Sequence, residues 1–90
     1  MELNEIREQI DAIDSQLLEL FCRRMDVVKG VAEYKIANDM PVLRPEREQA
    51  ILERVKAEAG DEYGDYAVDL FENMMRVSRE MQQKMIDERK

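Results

Sequence analysis

The sequence predicts an all-α fold in which each chain contributes three helices, long, short and long. The composition favours helices, because 39% of the 90 residues are charged and there are only three glycines and two prolines. Apolar residues also recur at alternating steps of three and four near the start of the chain, which is the spacing of one helix face. The length suits a single domain covering residues 1–90.

Helix 1 is predicted from about residue 3 to about residue 37, since no proline interrupts the pattern before Pro41. Its apolar face consists of Leu3, Ile6, Ile10, Ile13, Leu17, Leu20, Val27, Val31 and Tyr34. Such a helix is about 50 Å long, whereas a compact domain of this size is roughly 30 Å across. The overhanging apolar face would meet water, so we expect a second copy along it in an intertwined homodimer.

Helix 2 is predicted over about residues 45–59, because Pro45 suits a first helical turn and Gly60 suits a helix end. An acidic connector over 61–65 then leads to helix 3, predicted over about 65–86. The apolar positions of helix 3 are Ala67, Leu70, Phe71, Met74, Val77, Met81 and Met85. Three helices per chain predict a six-helix homodimer.

Charge and composition exclude several classes of function. The formal net charge is -7, which argues against nucleic-acid binding because a phosphate-tracking surface must be basic. No apolar run is long enough for a membrane span, and the first residues lack the pattern of a signal peptide, so we expect a cytoplasmic protein. The chain has no histidine and a single cysteine, Cys22, so neither a metal site nor another cofactor is expected.

Polar side chains occupy apolar faces of the first two predicted helices. Arg24 falls on the heptad face of helix 1, and Lys35 lies within about 20° of the same direction. Glu48 points inward on helix 2 and Arg47 flanks it. A structural alternative is that the cations extend to solvent, or that Glu48 pairs with Arg24 or Lys35 inside the fold.

Helix 3 also turns polar groups inward. Ser78 and Gln82 lie among apolar neighbours, although Ser78 could simply bond back to the carbonyl of Met74. The inward-turned groups of the three helices are mainly cationic in an acidic chain, which suits a small anion with two carboxylates. Arg7, near the free end of helix 1, could complete such a pocket in the partner subunit.

Several stretches resemble the helical chorismate mutases. They are residues 3–14, 17–18, 23–24, 31–35, 41–42, 44–48 and 78–82, so the resemblance extends over nearly the whole chain. It implies that Arg24 and Lys35 bind substrate carboxylates. It also implies that Lys35 and Gln82 donate hydrogen bonds to the ether oxygen of the substrate, and that Arg7 serves the site of the other chain.

The same resemblance implies roles around the substrate ring. Arg47 and Glu48 match a pair near the ring end, with Glu48 accepting from the ring hydroxyl, and Ser78 matches a residue near a carboxylate. Arg44 also matches a substrate-binding position, but well-studied members of the family have Asp there. The resemblance puts the Arg44 main chain at the substrate and leaves the role of its side chain open.

The resemblance implies an isomerase that converts chorismate to prephenate in phenylalanine and tyrosine biosynthesis. This rearrangement is intramolecular and pericyclic, and it needs no cofactor. It requires a restrained substrate conformation and hydrogen-bond donors at the breaking C–O bond. Two alternatives remain at this stage: an isochorismate-pyruvate lyase of similar fold, or a non-catalytic helical dimerisation module.

Overall fold

The computed structural model describes residues 1–89, and these residues form two α-helices joined by a short loop. Helix α1 spans Leu3–Ala37 and helix α2 spans Pro45–Glu88. No strand occurs in this part of the chain. The predicted all-α class is confirmed.

The predicted number of helices, three per chain and six per dimer, is wrong. We expected Gly60 to end one helix and residues 61–65 to form a connector, but these residues are helical and α2 continues through them. Gly60 alone leaves helical geometry, with φ 84° and ψ -179°. Such a backbone conformation is almost restricted to glycine, so the glycine kinks α2 instead of ending it. We call residues 45–59 the N-terminal arm and residues 61–88 the C-terminal arm.

The kink brings the two arms of α2 side by side. Glu48 and Arg79 are 31 residues apart in sequence, yet their side chains form an ion pair. Nearer the kink, Lys56 Nζ lies 3.3 Å from Asp65 Oδ1. Gly64 is buried there, and a Cβ atom at its position would lie 3.2 Å from the Lys56 carbonyl oxygen. The absence of a side chain at Gly64 therefore lets the arms approach closely.

The loop between the helices begins at Asn38, which caps the C-terminal end of α1. The side-chain amide of Asn38 donates to the carbonyl oxygen of Tyr34 at 2.8 Å, and its backbone N–H donates to the same oxygen. Asp39 then adopts a positive φ of 52°. At the other end, Pro45 occupies the first turn of α2, as expected from its fixed φ.

Helix α1 has two halves with different surroundings. Residues 1–20 are exposed throughout, although they carry the apolar face predicted above. The second half packs against α2, where Ala32, Val55 and Met75 form a small buried core. The chain is accordingly extended, with a radius of gyration of 16.3 Å, compared with about 12 Å for a compact domain of this length.

Neither helix meets the length and apolarity that a membrane crossing requires; this holds for residues 1–89. The cytoplasmic location expected from the sequence stays a prediction.

Candidate active site

A pocket of about 470 Å³ lies between the second half of α1, the loop and both arms of α2. Valines, Ile51 and Met75 supply its apolar wall, and the polar side chains are mainly cationic. Its lining residues are Arg24, Val27, Val28, Val31, Lys35, Val42, Arg44, Arg47, Glu48, Ile51, Met75, Ser78, Arg79 and Gln82. All the site residues predicted from the sequence, with the exception of Arg7, come together here.

The charge of the pocket is opposite to that of the chain. Of residues 1–89, five cationic side chains and one carboxylate line it, whereas the whole chain has a formal net charge of -7. Cations gathered against an apolar wall attract small anions and bind carboxylates through charge-assisted hydrogen bonds. The pocket is therefore suited to a small molecule with more than one negative charge.

Lys35 is the most connected of these cations. Its Nζ donates to the carbonyl oxygen of Val42 at 2.8 Å and to Oε1 of Gln82 at 3.1 Å. An ammonium group has three protons, so one donor is left for a ligand. Burial lowers the pKa of Lys35, the neighbouring Arg44 guanidinium lowers it further, and the Glu48 carboxylate acts in the opposite direction.

Gln82 is almost completely buried, with 6% of its surface exposed. Its Oε1 accepts from Lys35, which leaves the Nε2 protons as donors. Among residues 1–89, no side-chain nitrogen or oxygen is both sealed from solvent and unpaired. Gln82 Nε2 makes no hydrogen bond in this part of the chain, so it keeps some access to solvent and can serve a ligand in the pocket.

Arg24 is held by α2. Its Nη1 donates to the Ser78 hydroxyl at 2.7 Å, and Ser78 Oγ lies 2.9 Å from the carbonyl oxygen of Met74, to which it can donate. The structural alternative for Ser78, a bond back to Met74, is therefore present together with the contact to Arg24. A guanidinium has five donors, so Arg24 keeps most of them for a ligand while one fixes its position.

Glu48 pairs with Arg79, a partner that was not predicted from the sequence. Arg79 Nη1 donates to Glu48 Oε1, rather than Arg24 or Lys35 as the structural alternative suggested. The spacing in the sequence does indicate an inward-facing Arg79, because it lies four residues after Met75 and three before Gln82, on the same helix face. Its charged neighbours Arg76 and Glu80 made this region resemble a solvent-exposed face.

Arg44 and Arg47 line the pocket, and within residues 1–89 their side chains form no hydrogen bond or ion pair. Arg7 is not at the pocket of its own chain. It lies 17 residues before Arg24 in one continuous helix, which separates the two by about 25 Å along the helix axis.

The arrangement can bind and orient an anion and can donate hydrogen bonds from Lys35 and Gln82 to one of its oxygens. It offers little for nucleophilic or metal chemistry, since the chain has no histidine and its one cysteine is not in the pocket lining. Such a site favours reactions that depend on conformation and charge stabilisation.

Comparison with protein families gives a match to the family described as "Chorismate mutase type II" over residues 6–83. The chain belongs to this family. The resemblance noted in the sequence is confirmed, and the family identifies the chain as an enzyme of the chorismate mutase class.

Curated relatives differ in length. The chain is 38% identical over 79 residues to a T-protein of Enterobacter agglomerans, a match that covers 86% of this chain and 21% of that protein. It is 30% identical over 89 residues to the chorismate mutase of Methanocaldococcus jannaschii, covering 97% and 90%. It is 33% identical over 60 residues to the 4-amino-4-deoxychorismate mutase of Streptomyces venezuelae, covering 67% and 58%.

The chain thus spans about a fifth of the T-proteins that it matches, but nearly the full length of the Methanocaldococcus protein. No solved structure matches it significantly.

Proposed function

We propose that the chain catalyses the rearrangement of chorismate to prephenate in the pocket between α1 and the arms of α2. The observation that carries this proposal is the Lys35–Gln82 contact at 3.1 Å, with donors left on both side chains. Two donors fixed side by side, in a chain of this family, are suited to stabilise the negative charge that develops on an ether oxygen.

The reaction breaks the C–O bond of the enolpyruvyl ether and forms a C–C bond to the ring within one molecule. Arg24 and Lys35 are proposed to bind the two substrate carboxylates, with Ser78 beside one of them. This binding would hold the side chain over the ring, a geometry that the free substrate rarely adopts. Lys35 and Gln82 then donate to the ether oxygen as the bond breaks.

Glu48 and Arg47 of the N-terminal arm, with Arg44 just before it, are proposed to contact the ring end of the substrate. Glu48 has one oxygen engaged by Arg79, and its second oxygen can accept from the ring hydroxyl. Arg47 and Arg44 contribute positive charge at the same side of the pocket. The Arg44 side chain is proposed to act through charge, since it forms no ion pair within residues 1–89.

A homodimer with shared sites is part of the same proposal. Residues 1–20 expose an apolar helix face that nothing else within residues 1–89 covers, and a second copy would bury it. Arg7 lies on this exposed segment, about 25 Å along α1 from Arg24. We therefore propose that Arg7 completes the site of the partner subunit.

The proposal is tested by supplying chorismate and isochorismate separately to the purified chain and identifying the products. We expect chorismate to give prephenate, and isochorismate to give no pyruvate above the uncatalysed rate. Release of pyruvate from isochorismate would indicate the lyase instead. Turnover of neither compound by a folded protein would favour the non-catalytic module, although a pocket with unpaired donors is not what that alternative predicts.

The variant Lys35→Ala tests the Lys35–Gln82 contact on which the proposal rests. Removal of one preorganised donor typically costs about 100- to 1000-fold in rate, so we expect kcat to fall by this factor. Lys29→Ala is the control, because Lys29 lies on the same helix, is exposed, and pairs only with Asp26, at 4.0 Å, among the described residues. An equal loss of rate in both variants would contradict the assignment of this pocket.

A further inference from the structure

Among the described residues that line the pocket, Arg79 is the one cation for which neither the sequence pattern nor the family resemblance supplied a role. It stands on the C-terminal arm next to Ser78 and reaches Glu48 on the N-terminal arm. We propose, on the basis of the function proposed above, that Arg79 positions Glu48 so that the site selects a neutral ring hydroxyl over an ammonium group. Arg79 is thus a positioning residue for substrate specificity.

The first support is geometric. Arg79 occupies Oε1 of Glu48, and within residues 1–89 Glu48 has no other side-chain partner. A carboxylate fixed through one oxygen keeps the second oxygen as an acceptor in a defined direction. A substrate hydroxyl that donates to this oxygen would meet a fixed acceptor rather than a rotating one.

The second support is electrostatic. The guanidinium of Arg79 offsets the charge of Glu48, and Arg44 and Arg47 add positive charge that is not offset by any ion pair within residues 1–89. A neutral hydroxyl at this place is not repelled by the guanidinium groups. It needs only a hydrogen-bond acceptor, which Glu48 supplies. An ammonium group at the same place would be repelled by the guanidinium groups of Arg44 and Arg47, and a carboxylate already offset by Arg79 would attract it only weakly.

The degree of burial separates this pair from an ordinary surface pair. The side chains of Arg79 and Glu48 are 32% and 23% exposed, whereas those of Arg76 and Glu80, an i,i+4 pair on the same arm, are 52% and 65% exposed. Solvent screens the exposed pair much more strongly. Arg76 therefore offers a control of equal charge on the same arm.

The test compares chorismate with 4-amino-4-deoxychorismate, in which an amine that is protonated at neutral pH replaces the ring hydroxyl. The measured quantity is the ratio of kcat/KM for the two compounds. In Arg79→Gln, the unpaired Glu48 carboxylate would attract the ammonium group, so we expect the preference for chorismate to fall at least about tenfold, equal to about 1.4 kcal/mol. Arg79→Lys should restore most of the preference, and Arg76→Gln should leave it unchanged.

The alternative is that Arg79 only clasps the two arms of α2. A clasp alone would lower kcat/KM for both compounds equally in a less stable Arg79→Gln protein, and an unchanged ratio would overturn the inference. Arg79→Met provides a second neutral variant if Arg79→Gln does not fold. A wild-type chain that converts neither compound would overturn the proposed function itself, which distinguishes that failure from a failure of the Arg79 inference alone.

Discussion

At the scale of single residues, the site is built from side chains that hold one another and still keep donors free. Lys35 bridges the loop and α2 through Val42 and Gln82. Arg24 is fixed by Ser78, which is itself within hydrogen-bonding distance of the backbone of α2. Groups that are fixed before the ligand arrives do not have to reorganise during the reaction, and this is the property that electrostatic catalysis requires.

Lys35 gives a prediction about pH. Burial and Arg44 lower its pKa, so the ammonium form should be lost at a lower pH than for an ordinary lysine. Because we propose that the ammonium form binds and donates, kcat/KM should fall on the alkaline side with a midpoint below the usual lysine value. The pH profile of kcat/KM, which reports groups of the free enzyme, measures this midpoint.

Arg44→Gln provides the check on cause. It removes a positive charge that disfavours the Lys35 ammonium, so the alkaline midpoint should move upward. In Lys35→Arg the side chain stays charged over the pH range in which Lys35 titrates. The activity that this variant retains should therefore not fall on the alkaline side. An alkaline midpoint that stays in place in both variants would assign the titration to another group.

Gln82 gives a second prediction at this scale. An amide donates at every pH, whereas the carboxyl group of Gln82→Glu donates only when protonated. The nearby Lys35 ammonium at 3.1 Å would favour the carboxylate. The activity of Gln82→Glu should therefore be confined to acidic conditions, measured as kcat from pH 4 to pH 8.

Gln83→Glu is the control for Gln82→Glu, because it adds the same charge at the next, exposed position. It should keep the pH dependence of the wild type. A Gln82→Glu protein as fast as the wild type at pH 8 would remove Gln82 from the mechanism.

The sequence was informative about residues wherever polarity contradicted helical position. Arg24, Lys35, Glu48 and Gln82 each interrupt an apolar stripe, and all four line the pocket. Arg79 was missed because its neighbours along the chain are charged too, so its position on the face of Met75 and Gln82 did not stand out. Which side chain pairs with Glu48 also depends on how the two arms pack together, and this cannot be predicted from the pattern of one helix alone.

At the scale of elements, the kink at Gly60 determines whether a pocket exists. Glu48 lies before the kink and Arg79 and Gln82 lie after it, so only a reversal of α2 brings them to one place. The sequence identified Gly60 as special but not what it does. A glycine at a helix end and a glycine in a kink look alike in sequence, and the acidic run 61–65 resembled a connector although it forms regular helix.

Gly60→Ala tests the kink. A residue with a Cβ is strained at φ 84° and ψ -179°, at a cost of about 1–3 kcal/mol. In a domain of this size, 1 kcal/mol corresponds to a change of about 4–8 °C in Tm, so a thermal melt should show a clear decrease. Catalytic rate should fall as well, because the two arms carry different halves of the site.

Gly30→Ala is the control substitution. Gly30 lies in the regular part of α1 with open space around its Cβ position. An alanine there should raise stability by about 0.5–1 kcal/mol, because glycine is a poor helix former. If Gly60→Ala were as stable as the wild type, the kink would not depend on glycine.

At the scale of the whole molecule, the chain contains a pocket but covers little of its own apolar surface. The exposed first half of α1 and the large radius of gyration are what the length of helix 1 predicted. That prediction needed only the rise of a helix and the size of a compact domain. How two copies are arranged cannot be predicted from these two quantities, because it depends on how the two surfaces fit together.

The most direct test of the account uses one heterodimer that combines an Arg7→Ala chain with an Arg24→Ala chain. The two chains carry different affinity tags, and tandem purification isolates the mixed species. If Arg7 serves the partner's pocket, one of the two sites is complete and the other lacks both arginines. The chorismate turnover of this heterodimer should then be about half that of the wild type per dimer, while each parent homodimer is about 100- to 1000-fold slower. A heterodimer no faster than the mean of its parents would contradict a site shared between two copies.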